Sequence, residues 1–150
     1  NTVRKTIKEI SNFNVSMTTI HLHGGRDMIE ASIESSQGTK IIGVSILTSL
    51  NDTDMNEIYG SHFNDQFSRA INLAKITDID GIVCSPKELI QLKDLNKIKV
   101  VPGIRNKASN DDQKRTMSSS EAYKNGADFI VVGRPITEAD NIKEAILDYT

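Results

Sequence analysis

The sequence predicts an α/β fold built on parallel strands, and three observations carry that prediction. Short runs rich in β-branched and apolar residues recur at 18–23, 40–47, 81–85, 99–105 and 129–132. Near-continuously apolar runs read as parallel strands buried on both faces. Between them lie segments with helical spacing of apolar residues, the alternation expected of strand–helix–strand units. Two of the runs also end in a glycine followed at once or shortly by arginine: Pro102-Gly103-Ile104-Arg105 and Val132-Gly133-Arg134-Pro135.

The elements follow in order. Asn1 and Thr2 read as a cap on a helix with Val3, Ile7 and Ile10 on one face. A cap with no lead-in strand predicts a chain that starts inside an architecture. The run at 18–23 leads to Gly24-Gly25 and a helix over 27–34, and the run at 40–47 to a turn over 48–52. A polar stretch then precedes a longer helix through Phe67, Ala70, Ile71 and Ala74. After 81–85, Pro86 suits the first turn of a helix extending to 95. Helices at 119–124 and 141–149, the latter capped by the residues ending at Asn141, flank the last run.

Parallel strands with helical crossovers leave an open sheet or a barrel. The paired Gly and Arg residues favour the barrel, because (β/α)8 barrels hold phosphate in the loops after their last two strands. A full barrel needs about 250 residues. The 150 residues form a single domain in this reading, a partial (β/α)8 TIM barrel of the ribulose-phosphate-binding type holding the last five βα units. The other three units are expected ahead of Asn1, leaving the strand at His21 and the strand at Phe129 as exposed edges.

Composition narrows the partners. Eighteen basic and twenty acidic residues give a formal charge of −2 and leave no basic tract for nucleic acid or a membrane surface. No stretch approaches the roughly 20 apolar residues of a membrane-spanning helix. Cys84 is the single cysteine, which excludes an intrachain disulfide and fits the reducing cytoplasm. A small anionic metabolite fits, since two local arginines suffice for it.

The segments Asn1-Thr2-Val3, His21 with Gly24-Gly25, Leu47-Thr48-Ser49, Asp80-Gly81-Ile82-Val83-Cys84-Ser85, Pro102-Gly103-Ile104-Arg105, Asp112-Gln113-Lys114-Arg115 and Val132-Gly133-Arg134-Pro135 resemble orotidine 5′-phosphate decarboxylases along the whole chain. The resemblance implies a homodimeric (β/α)8 barrel that converts orotidine monophosphate (OMP) to UMP and CO₂ without metal or organic cofactor. It implies that Gly133, Arg134 and Arg105 hold the phosphate. Gln113, from the polar loop over 106–112 and beyond, would bridge phosphate and pyrimidine. Thr48 would meet the ring, Pro102 would line its pocket, and Thr2 would reach the neighbouring protomer's site. The family's catalytic Asp-x-Lys-x-x-Asp-Ile-Pro segment precedes its Asn-Thr pair, so no catalytic residue is expected in this chain, which is expected to be inactive alone.

Plainer readings stand beside these. His21 and His23 would share a strand face, but without a third ligand a metal pair is not supported; the resemblance implies that His21 is a hydrogen-bonded interior residue. Cys84 reads as an inert core thiol without a basic neighbour. Either arginine alone could serve a surface ion pair. The functional alternatives are a related phosphosugar decarboxylase or epimerase barrel and a non-catalytic remnant.

Overall fold

The computed structural model describes residues 1–47, 50–106 and 116–150. The chain divides into two compact units, Asn1–Val83 and Cys84–Thr150.

The first unit contains α1 (Thr2–Ser11), β1 (Met17–His21), a 3₁₀ turn (Leu22–Gly24), α2 (Arg26–Glu34), β2 (Lys40–Val44), α3 (Asp52–Tyr59), α4 (Phe63–Ile76) and β3 (Gly81–Val83). Its three strands are parallel, with Met17 opposite Lys40 and Ile42 opposite Gly81. Ile20, Leu22, Ile29, Ile41, Ile42, Phe67, Ala70, Ala74 and Ile82 are buried. The apolar faces read from the sequence are therefore the faces that pack. Asn1 occupies the α1 cap position, but its side chain makes no capping bond.

β1 is shorter than its apolar run. It stops at His21, and His23 lies in the 3₁₀ turn that Gly25, at φ 85°, leads into α2. His21 is exposed, not interior as expected, because Ile20 and Leu22 on either side take the inward positions.

Asp80 extends the sheet beyond its strand. Its backbone N–H donates to the Ile41 carbonyl at 3.1 Å and its carboxylate accepts from the Ile41 N–H at 2.8 Å. Gly43, in the middle of β2, is required by close approach. A Cβ there would stand 2.5 Å from Leu22 Cδ2 and 2.9 Å from Ile79 Cδ1, both fully buried residues. Neither neighbour has room to retreat, so Gly43→Ala is expected to destabilise the fold by about 1–3 kcal/mol, read by urea denaturation. An unchanged midpoint would contradict this packing.

α3 is a helix where only a polar stretch was expected. Asn51 Oδ1 accepts from the N–H groups of Thr53 (2.8 Å) and Asp54 (3.2 Å), while Asp54 returns a carboxylate to the Asn51 N–H at 2.9 Å. Gly60, left-handed at φ 62°, ends it. Both ends are thus set by capping chemistry, with Met55 its one buried residue.

The second unit contains α5 (Pro86–Leu89), a 3₁₀ turn (Ile90–Leu92), β4 (Ile98–Pro102), α6 (Ser119–Lys124), β5 (Phe129–Val131), α7 (Arg134–Thr137) and α8 (Ile142–Leu147). Pro86 does open α5, but the helix expected to reach 95 changes to 3₁₀ after Leu89. Leu89, Leu92 and Leu95 are all buried. Their spacing of three matches the 3₁₀ repeat, not the α repeat. Asn141 caps α8 by accepting from the Glu144 N–H at 3.4 Å. Asp128 repeats the device of Asp80, its carboxylate accepting from the Lys99 N–H at 2.7 Å and its N–H donating to the Lys99 carbonyl at 2.9 Å. The β5 side chains Phe129 and Val131 are 47% and 49% exposed, in keeping with an outer strand.

Candidate phosphate site

β4 and β5 are parallel, with Val100 opposite Phe129, Val101 opposite Ile130 and Pro102 opposite Val131. The offset is 29 residues throughout (131 − 102), and Arg134 and Arg105 keep the same offset (134 − 105). Each arginine thus stands three residues past the last paired position, at the same end of two neighbouring strands. Parallel neighbours run about 4.8 Å apart. Pro102, Arg105, Gly133 and Arg134 are brought to one end of one strand pair.

The routes out of the sheet differ. After β4, Gly103 adopts φ 78°, a left-handed conformation that glycine takes without strain. The chain turns there, buries Ile104 and makes a bridge with Met117. The Arg105 N–H donates to the Met117 carbonyl at 2.9 Å, and its Nη1 to the Ile104 carbonyl at 2.8 Å. After β5, Gly133 stands at the cap position of α7, and Arg134 is that helix's first residue. Gly133 has φ −97°, and a Cβ built there would meet nothing within 4 Å among the described residues. Packing does not demand the glycine, and the open space leaves its backbone approachable. Both arginines are half-buried.

Thr2 opens α1 in the first unit, exposed, its carbonyl accepting from Thr6 Oγ1 at 3.1 Å. Thr48 and Gln113 lie outside the described residues, as do Lys114, Arg115 and positions 107–112 of the loop expected over 106–112.

Two titratable groups depart from their ordinary behaviour. Burial pushes the Cys84 thiol up to about 12, Glu88 adds to this, and Lys99 opposes it. A basic neighbour therefore does exist, contrary to the sequence reading, because strand pairing brings Lys99 near a residue fifteen positions earlier (99 − 84). Desolvation outweighs it, and the thiol stays protonated at neutral pH. In the first unit, the His23 ring stacks on Tyr59 with centroids 5.1 Å apart. Its pKa lies below the usual histidine value of 6.5, chiefly through burial, against a hydrogen bond with Gln66 that raises it. The charged form is disfavoured in the folded state alone. The contribution of His23 to stability is therefore full above pH 6.5 and is lost as pH falls from there toward its lowered folded value. A His23→Gln protein should show a flatter decline of melting temperature below pH 6.5 than the parent, and identical slopes would contradict this.

Asn106, Ser119 and Tyr149 were missed. Each is an ordinary polar residue, and their meeting next to Arg105 has no signature in sequence spacing.

A solved structure of orotidine 5′-phosphate decarboxylase from Lactobacillus acidophilus superposes with a TM-score of 0.83 at 28% identity, covering 99% of this chain and 70% of that one. With the five parallel strands and their helices, this makes the chain a partial (β/α)8 TIM barrel. Residues 1–149 match the model of the orotidine 5′-phosphate decarboxylase / HUMPS family, and the chain belongs to that family. A curated relative of the same name from Wolbachia of Culex pipiens is 40% identical over 147 residues, 94% of this chain. Another, from Methylacidiphilum infernorum, is 42% identical over 145 residues. The chain spans 65% and 63% of the lengths of these two relatives. Among the described residues, no helix is long and apolar enough to cross a membrane.

Proposed function

We propose that this chain carries the nucleotide-binding part of an orotidine 5′-phosphate decarboxylase, the enzyme that converts OMP to UMP and CO₂ in pyrimidine synthesis. The observation that carries the reading is the equal offset of Arg105 and Arg134 past adjacent parallel strands. Two guanidinium groups at one sheet end suit a phosphate dianion, to which each can donate a charged fork. Gly133 leaves room for a phosphate oxygen to reach the backbone. Pro102, the last residue of β4, then borders the pyrimidine. Thr48 and Gln113 complete the ligand contacts, and Thr2 serves the neighbouring protomer of a cytoplasmic homodimer, as the family resemblance suggests.

The phosphate is remote from the carbon that loses CO₂. Its binding energy serves to orient the base and exclude water, and contributes to rate only where it is realised in the transition state. The chemistry itself needs a carboxylate crowding the departing group and a lysine delivering a proton to C6. None of the 150 residues forms the Asp-x-Lys-x-x-Asp segment that supplies them in the resemblance. In this reading these residues bind nucleotide and do not themselves supply that chemistry.

Calorimetric titration with UMP, uridine and xylulose 5-phosphate tests the reading. UMP should bind most tightly, and uridine markedly less. Tighter binding of xylulose 5-phosphate would reassign the site to a phosphosugar, and binding of none of the three would reject a working cradle.

A further inference from the structure

Asn106, directly after Arg105, joins three parts of the second unit. Its Oδ1 accepts from the Ser119 N–H at 2.8 Å, and its Nδ2 donates to Ser119 Oγ at 3.1 Å and to the Asp148 carbonyl. Its own N–H donates to the Tyr149 hydroxyl at 3.4 Å. The carboxamide thus uses both of its donors and one acceptor. The exit of β4, the first turn of α6 and the chain beyond α8 meet at this one side chain.

The consequence falls on Arg105. The peptide N–H on its N-terminal side is bonded to Met117, and the one on its C-terminal side to Tyr149. With both flanking peptides held, the φ and ψ of Arg105 are held, and so is the direction in which its side chain leaves the backbone. Long cationic side chains lose much rotamer freedom on binding, and a fixed base lowers that cost.

We propose that Asn106 is a positioning residue for phosphate recognition, aiming Arg105 by tying its backbone to Ser119 and to the C-terminal residues Asp148 and Tyr149. This rests on the nucleotide reading above and adds a supporting residue to it. The C-terminal residues thereby become part of the support of the phosphate site without touching ligand.

A double-mutant cycle tests it. UMP and uridine affinities are measured by calorimetry for the full chain, Asn106→Ala, Arg105→Ala and the double variant. Asn106→Ala should weaken UMP about tenfold, leave uridine unchanged, and add no further loss once Arg105 is alanine. An equal loss of UMP affinity in the Arg105→Ala background would show a general structural role and overturn the proposal, as would no loss in either. Should Asn106→Ala melt at the assay temperature, Tyr149→Phe decides. It keeps the ring and removes only the acceptor of the Asn106 N–H, and it should weaken UMP about threefold through the same coupling. Unchanged affinity there would overturn the proposal too. A parent chain that binds no UMP would fail the nucleotide reading itself, an outcome visible in the first arm alone.

Discussion

Arg134→Ala should weaken UMP binding on the order of 100-fold while leaving uridine nearly unaffected. The size follows from what remains after the truncation. Removing one partner of a desolvated charge contact costs about 2–5 kcal/mol, because the phosphate is left short of a charged donor it cannot replace with bulk water. Arg134 opens α7 directly after Gly133, and the uridine arm separates a loss of phosphate contact from a loss of fold. Arg105→Ala should act in the same direction. A calorimetric comparison of UMP with uridine reads both, and an Arg134→Ala protein binding UMP as tightly as its parent would remove the phosphate role.

The second large effect concerns turnover. Incubated with OMP, the purified 150 residues should release no UMP above the uncatalysed background. Decarboxylation needs a proton delivered to C6 and a negative charge set against the leaving carboxylate, and the residues proposed to hold the phosphate supply neither. The expected difference from a turning-over enzyme is at least about 10⁶-fold, the lower end of what enzymes provide. A chromatographic assay for UMP decides this, and formation at a rate typical of enzymes would place catalytic residues within this chain. If a separate polypeptide carrying the Asp-x-Lys-x-x-Asp segment and the remaining strands were added, turnover should appear. Phe129 and Val131 on β5 offer the half-exposed apolar surface that such strands would cover.

The strands were legible because Ile41, Ile42, Val100, Val101, Ile130 and Val131 are β-branched and sit in near-continuously apolar runs. Their ends were overrun, because a strand stops where its partner stops, and that is a property of the pair. Val44 ends β2 opposite Val83, and Pro102 ends β4 opposite Val131. α3 escaped notice since its signal is the capping pair Asn51 and Asp54 and not an apolar stripe. The interior place for His21 came from the family resemblance, whereas the end of β1 turns Ile20 and Leu22 inward and leaves His21 exposed. The glycine and arginine motifs at the site were readable one by one. Their common offset became visible only once the register of β4 and β5 was known. The Lys99 charge near Cys84 and the Asn106 contacts arise from chain segments far apart in sequence, and no local pattern announces them.

A crystal structure of this chain with UMP bound is the most direct measurement. Both guanidinium groups, of Arg105 and Arg134, should lie about 2.7–3 Å from oxygens of one phosphate group. A phosphate held by neither arginine, or guanidinium groups turned to opposite sides of the strand pair, would contradict the convergence on which the account depends.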